Sequence, residues 1–230
     1  MFGRFARMHR CVPILLLVTA CSAPSTLSST ARYGRIGVLP AYESDIGKRT
    51  PPSLFDNALV EHFDLDIGLN ELVIEQVEKS AGNAHEIVDL QSLASEYVGT
   101  PKVHSGGERQ IFGDSRPLFT SVVQTLAGGR GLDAYVVIEG GSVWITEPQV
   151  APALRLLAAQ GHDLSIRMNI YIIDGKTFEV SAAATSELVQ KGVPDSWFVA
   201  PRQHSDEIRG AVVTLLDKNL APALRKLRLI

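Results

Sequence analysis

A chain of 230 residues, 45% hydrophobic and 20% charged, has the length and composition of a globular protein with a sizeable core, and this excludes a disordered chain. A formal net charge of −3, with basic residues scattered except in the tail Arg225-Lys226-Leu227-Arg228, excludes a general nucleic-acid binder, which needs a basic face. Two cysteines, Cys11 and Cys21, are too few for a disulfide framework or a thiolate zinc site.

The chain begins with Arg4, Arg7 and Arg10, and the apolar run from Cys11 to Ala20 follows. That run is too short to span a bilayer, which takes about 18 to 20 residues. A basic start, a short apolar stretch and small residues at its end describe a secretory signal peptide over residues 1–20. Val18-Thr19-Ala20-Cys21 resembles the lipobox of bacterial lipoproteins. The resemblance implies cleavage between Ala20 and Cys21 and acylation of Cys21 with palmitate-type chains. Cys11 leaves with the signal, so an unmodified Cys21 would be a lone thiol in an oxidising compartment, and acylation removes that oddity. Each buried methylene contributes about 0.8 kcal/mol, so several chains hold where one does not. Ser22, at the position where related lipoproteins carry aspartate for inner-membrane retention, implies the outer membrane, facing the periplasm. Residues 21–33 are rich in Ser, Thr and Ala and read as a flexible tether.

The α/β domain expected over residues 34–230 opens with a buried strand, Ile36 to Pro40. Tyr42 to Ser53, with Gly47, Pro51 and Pro52, predicts a loop. Alternation from Leu59 to Leu69 predicts a half-exposed strand. Asn70 is placed as the N-cap of a helix carrying Leu72, Val73, Val77 and Ala81, stopped by Gly82. Glu86 to Leu90 predicts a short strand and Gly99 to Asp114 an exposed loop. A helix starting at Ser115 and Pro117 ends at Gly128-Gly129. Ala134 to Ile138 is apolar throughout, as in a sheet centre covered on both faces. The apolar insertion from Gln149 to Gly161 predicts a short helix.

Met168, Ile170 and Ile172 then alternate with polar residues, as do Val180, Ala182 and Ala184 beyond Asp174-Gly175. A two-residue Asp-Gly turn would set the two apolar sets on opposite faces. A three-residue loop, Asp174-Gly175-Lys176, pairs Ile170 with Val180 and keeps one core face. Ser205 is placed as the N-cap of a closing helix with Ile208, Val212, Leu215, Leu216 and Leu220 inward, and Pro222 is expected to break or kink it.

Helices alternating with strands predict a mixed sheet, parallel at its centre, with an antiparallel hairpin, packed helices and a long C-terminal helix. The segments RIGVLPA, DAYVVIEG and IRMNIYIIDGKTFEV, with the closing helix, resemble bacterial outer-membrane lipoproteins with a TolB amino-terminal or anticodon-binding-like α/β domain. That group includes the curli-secretion lipoprotein and the lipoprotein activators of penicillin-binding proteins. Hairpins of the group often read Asp-x-x-Thr-Gly, whereas Phe178 follows Thr177 here, which implies a different turn.

Chemical signatures are sparse. The chain has no Gly-x-Ser-x-Gly elbow, no His-Glu-x-x-His and no phosphate-binding Gly-x-x-x-x-Gly-Lys, so no catalytic residue and no cofactor is assigned. His62, Asp64 and Asp66, two apart on a strand, would point the same way and suit a divalent cation, although strand periodicity alone gives the same pattern. Trp144, Trp197 and Phe198 are the candidate anchors for a protein partner, against a reading in which they cover the sheet ends. The leading expectation is a non-enzymatic, lipid-anchored periplasmic protein that binds an envelope partner through a sheet edge or loops, with no nucleic acid involved. A subunit of an outer-membrane secretion assembly and an envelope hydrolase are the alternatives.

Overall fold

The computed structural model describes residues 33–42, 46–49, 60–99, 116–141, 152–158 and 162–229. Ten strands and five α-helices lie in them. The strands are β1 (Arg35–Ala41), β2 (Ile46–Arg49), β3 (Val60–Phe63), β4 (Glu86–Asp89), β5 (Ala134–Gly140), β6 (Leu154–Ala158), β7 (His162–Ile166), β8 (Met168–Asp174), β9 (Val180–Thr185) and β10 (Val189–Gly192). The helices are α1 (Leu69–Ala81), α2 (Ala94–Gly99), α3 (Arg116–Ala127), α4 (Asp195–Val199) and α5 (Ser205–Lys226). The fold is α/β, as the alternation of periods requires. The signal peptide, Cys21, nearly all of the tether, the Gly99–Asp114 loop beyond its first residue, and Trp144 lie outside the described residues.

One sheet has the order β4-β1-β5-β8-β9, with β4, β1 and β5 parallel and β8 and β9 antiparallel. The parallel centre and the antiparallel hairpin are those expected. A second sheet, β10-β7-β6-β2-β3, takes β3 from the expected Leu59–Leu69 strand and β2 and β6 from segments read differently in the sequence. The Tyr42–Ser53 loop contains β2. The Gln149–Gly161 insertion forms β6, not a helix: Leu154 and Leu156 point into the core while Arg155, between them, faces the opposite side. That is a period of two, hidden in the sequence by Leu157 and the alanines around it. The Leu59–Leu69 strand stops at Phe63. Burial still alternates through Leu65, Ile67 and Leu69, but Asp66 is left-handed at φ 55 and ends the extended run.

The two sheets are halves of longer strands broken at one level. β7 and β8 are separated only by Arg167, and β9 leads into β10 through Ser186 to Leu188. β5 pairs with β8 up to Gly140–Met168, and β6 resumes opposite the same arm at Leu154–Ile166. β1 and β2 do likewise along β5 and β6. The break between β5 and β6 thus falls at the level where the other arms also break. Asn219, buried on α5, sits at this seam: its Nδ2 donates to the carbonyls of Ile166 and Glu187 at 3.4 and 2.7 Å.

α1 and α5 cover one face of both sheets. Val73, Val77, Ile208, Val212, Leu216 and Leu220 meet Ile36, Val136, Ile170, Leu154 and Ile166 there. The expected inward residues of α5 are all buried. α2 and α3 cover the other face of the first sheet, where Tyr97, Val123 and Ala127 pack on Leu39, Tyr135, Val137 and Ile173. Two expected caps move. α1 starts after Gly68, left-handed at φ 63, so Asn70 lies inside the helix, and Ser205 is the first residue of α5 rather than its cap. α5 also runs through Pro222, because tertiary packing of Leu220, Ala223 and Leu224 outweighs the one bond proline removes.

The β8–β9 hairpin keeps the expected core face in another register. Ile170 lies opposite Ala184 and Ile172 opposite Ala182, not Val180 and Phe178 as the three-residue loop requires. Asp174 closes on Glu179 across a four-residue turn, and a bulge at Ser181 restores the parity. Asp174 Oδ1 accepts from the Lys176 and Thr177 amides at 2.8 Å each. Phe178 then takes φ 56, the left-handed conformation, at the position where the resembling hairpins carry glycine. Its ring stacks on Tyr135 with centroids 5.7 Å apart, which offsets a strain of about 1 kcal/mol.

Asp133 ties this end of the first sheet together. Its carboxylate accepts from the amides of Gly34 and Arg35 at 2.8 and 2.9 Å, and its carbonyl accepts from Gly175 at 2.9 Å. The Arg35 and Gly34 amides hold the Asp133 carboxyl below the usual carboxylate value. The Thr177 and Lys176 amides hold Asp174 below it too, against an opposing effect of burial. Both groups are depressed in the fold, so their stabilisation is full above the unfolded value and is lost as pH falls through the folded one. Thermal melting is therefore expected to weaken below about pH 4. Asp133→Asn and Asp174→Asn should flatten that slope, and an unchanged acid limb in both variants would refute the assignment.

Candidate functional site

Chain geometry separates two ends of the domain. Tyr33, the first described residue, is pinned where the strands of the first sheet begin. Its carbonyl contacts His85 Nδ1 at 2.5 Å and its hydroxyl lies 3.3 Å from Ser181 Oγ. The arm made of β7 and β8 starts at His162 and ends at Asp174, beside Asp133. Thirteen residues at about 3.3 Å each put His162 up to about 40 Å from that end.

At the far end, α4 packs against β6 and β7. Pro194 precedes it with extended backbone and Pro201 follows it. Trp197 is buried and belongs to the core, so its apolar body fixes α4 on the sheet rather than reaching a partner. Phe198 is half-buried. The His162 ring lies 4.6 Å from its centroid and the Lys48 ammonium 4.8 Å from it. Asp195 Oδ1 lies 2.7 Å from His162 Nδ1, and Glu61 lies 3.5 Å from Lys48. The Lys48 ammonium and the His162 ring thus each meet the Phe198 ring and each have a carboxylate neighbour, which holds the ring in place. Beside it Val199 is 76% exposed, well above Leu188 and Val213, the other exposed large hydrophobics among the described residues. The corner therefore offers an apolar knob on a rigid base, with charge around it.

Other sequence candidates fare differently. Asp64 and Asp66 are exposed and follow β3 instead of lying on it, so the shared strand face with His62 is lost; the His62 side chain is outside the described residues. Among the described residues no group of three His, Cys, Asp or Glu side chains could hold a metal ion. Sequence reasoning passed over a polar pair beside the seam. Glu139, 1% exposed at the end of β5, accepts from the Tyr97 hydroxyl at 2.9 Å. Burial and then the Glu139 charge push the Tyr97 phenol far up, so it remains a donor. Arg155, also buried, donates from Nη2 to the Gly141 carbonyl at 2.6 Å. The signal for this pair was a single acid, Glu139, inside an otherwise apolar strand.

Among the described residues no helix is long and apolar enough to cross a membrane. Neither the known family models nor the curated proteins contain a match to this chain. Among solved structures the chain is similar to a PelC dodecamer from Paraburkholderia phytofirmans, at 11% identity over 82% of this chain and 89% of that one, with a TM-score of 0.33. It is similar to protein XCC0632 from Xanthomonas campestris, at 12% identity over 80% and 85%, with a TM-score of 0.34. It is also similar to lipoprotein GNA1162 from Neisseria meningitidis, at 11% identity over 80% and 97%, with a TM-score of 0.30. Matches this distant bear on neither the corner nor its chemistry.

Proposed function

We propose that the chain is a lipid-anchored lipoprotein of the bacterial cell envelope. In this reading Cys21 holds it on the periplasmic face of the outer membrane, and the domain binds an envelope protein rather than catalysing a reaction. The observation that carries the reading is Val18-Thr19-Ala20-Cys21 behind a basic, apolar leader, in a chain with no cysteine after it. A suitable layout supports the reading: Tyr33, the first described residue, lies at one end of the domain and the α4 corner at the other. Partner binding is assigned to Phe198 and Val199, with the polar side chains of Lys48, His162 and Asp195 around them, since a fixed aromatic beside exposed apolar surface concentrates interface energy.

Two measurements test this separately. Cys21→Ser should leave the leader uncut and release the protein from the outer-membrane fraction; normal processing and unchanged fractionation would sink the anchor. A photo-crosslinking side chain at position 199, in the full chain in cells, should give one protein adduct of fixed mass. Val199→Glu should weaken that binding by about tenfold or more. Equal capture from an exposed α1 position such as Glu75 would sink the corner as the partner site.

A further inference from the structure

Among the described residues the two sheets end in four edge strands: β4 and β9 in the first, β10 and β3 in the second. Edges of natural sheets are commonly guarded by charge, because unpaired backbone groups are a template for another strand. Three of these four are guarded: β4 by Glu86 and Asp89, β10 by Lys191 and β3 by Glu61. β9, Val180–Thr185, has no charged residue and no proline, and among the described residues it pairs with β8 alone. The ladder shows which of its groups point outward. The Ser186 amide donates to the Met168 carbonyl at 2.8 Å, and Ala184 and Ala182 lie in step with it opposite Ile170 and Ile172. Ala183 and Thr185 therefore turn their N–H and C=O groups away from β8.

We infer that β9 is the self-association edge of this protein, pairing antiparallel with β9 of a second copy to make one ten-stranded sheet. A two-fold axis at Ala184 sets Ala183 of each chain opposite Thr185 of the other. Both outward-facing residues are then satisfied together, in an isologous contact. A strand that meets its own copy brings like charges together wherever it carries any, as the two acids of β4 would across a two-fold, and β9 carries none. Six paired residues make a small contact beside the roughly 1,200 Å² of a stable interface, so anchoring in one membrane supplies the effective concentration, and in that respect the inference rests on the anchor proposed above. The geometry permits it: β9 is about 20 Å long, and the dozen residues between Cys21 and the domain, 22–33, reach about 40 Å, so both anchors reach one bilayer.

The test uses full-length chains in phospholipid vesicles. Copies carrying Ala183→Cys are mixed with differently tagged copies carrying Thr185→Cys and oxidised mildly. A disulfide-linked heterodimer is expected. Glu75→Cys, on the exposed face of α1, should give none, nor should Ala183→Cys with Thr185→Lys mixed with Thr185→Cys with Ala183→Lys, where like charges face each other. Absence of the heterodimer, equal linking through Glu75→Cys, or an adduct only to a different protein would each overturn self-pairing. Repeating the reaction at high concentration with chains that carry both Cys11→Ser and Cys21→Ser, so that an uncut leader brings no thiol of its own, separates the two proposals. A heterodimer there upholds the edge even if the anchor fails, and no heterodimer there or in vesicles overturns the edge alone.

Discussion

Gly175→Ala is expected to destabilise the domain by about 3 kcal/mol or more, lowering the melting temperature by about 6 to 12 °C. A methyl group there would lie 2.0 Å from the Leu132 carbonyl oxygen and 2.8 Å from the Asp133 carbonyl carbon. Both obstacles are backbone, so no rotamer change relieves them. The close approach exists because the Gly175 amide donates to the Asp133 carbonyl at 2.9 Å. Asp133 in turn holds the first residues of β1, so the substitution pushes apart three segments that meet at one residue. Urea unfolding of the variant measures the effect, and a loss below about 1 kcal/mol would show that the hairpin moves away freely. Gly82, with nothing within 4 Å of a built methyl group but φ 59, separates steric from conformational cost: Gly82→Ala should lose only about 1 to 2 kcal/mol.

The second large effect is expected at Asn219. Asn219→Leu keeps the side-chain volume but removes the donor shared by the Ile166 and Glu187 carbonyls. Losing partners for buried groups costs about 1 to 3 kcal/mol each, and removal of Asn219 Oδ1, which is buried without a partner, offsets part of it. A net loss of about 2 kcal/mol is expected. Asn219→Asp is worse at neutral pH, because a carboxylate there faces two carbonyl oxygens. Its folded pKa is then raised, so the acid stabilises when protonated and that contribution is lost as pH rises through the folded value. The variant should therefore regain part of its stability towards low pH, opposite to the acid weakening expected from Asp133 and Asp174. A uniform loss at every pH would refute this account of the seam.

Long elements with one strong period were legible in the sequence. The stripes of α1, α3 and α5 and the apolar runs of β1 and β5 fall within a residue or two of their places. The second sheet was not legible because its strands are four or five residues long and carry misleading composition. β2 reads IGKR among prolines and glycines, and β6 reads LRLLA, which suits a helix. The ladder that joins β2 to β6 spans more than a hundred residues, as Ile46 with Leu154, so no local pattern announces it. The hairpin shows the same limit from another side. Face parity could be argued from Met168 to Ala184, but two compensating irregularities, a four-residue turn and the bulge at Ser181, preserve parity while shifting register. At the α4 corner, Phe198 was found by its type. Lys48 and His162 were not, because they reach its ring from strands distant in sequence.

The position of β1 has a mechanical consequence. β1 is not an edge: β4 lies on one side and β5 on the other, both parallel to it. A pull between Tyr33 and the α4 corner runs along these strands, so it loads both ladders in shear and their hydrogen bonds must fail together. The same pull on an edge hairpin, across its strands, would open them one by one. A chain held at its amino end while its far corner grips a partner is thus loaded in its resistant direction, and its lifetime under tension follows the unfolding rate rather than the equilibrium stability.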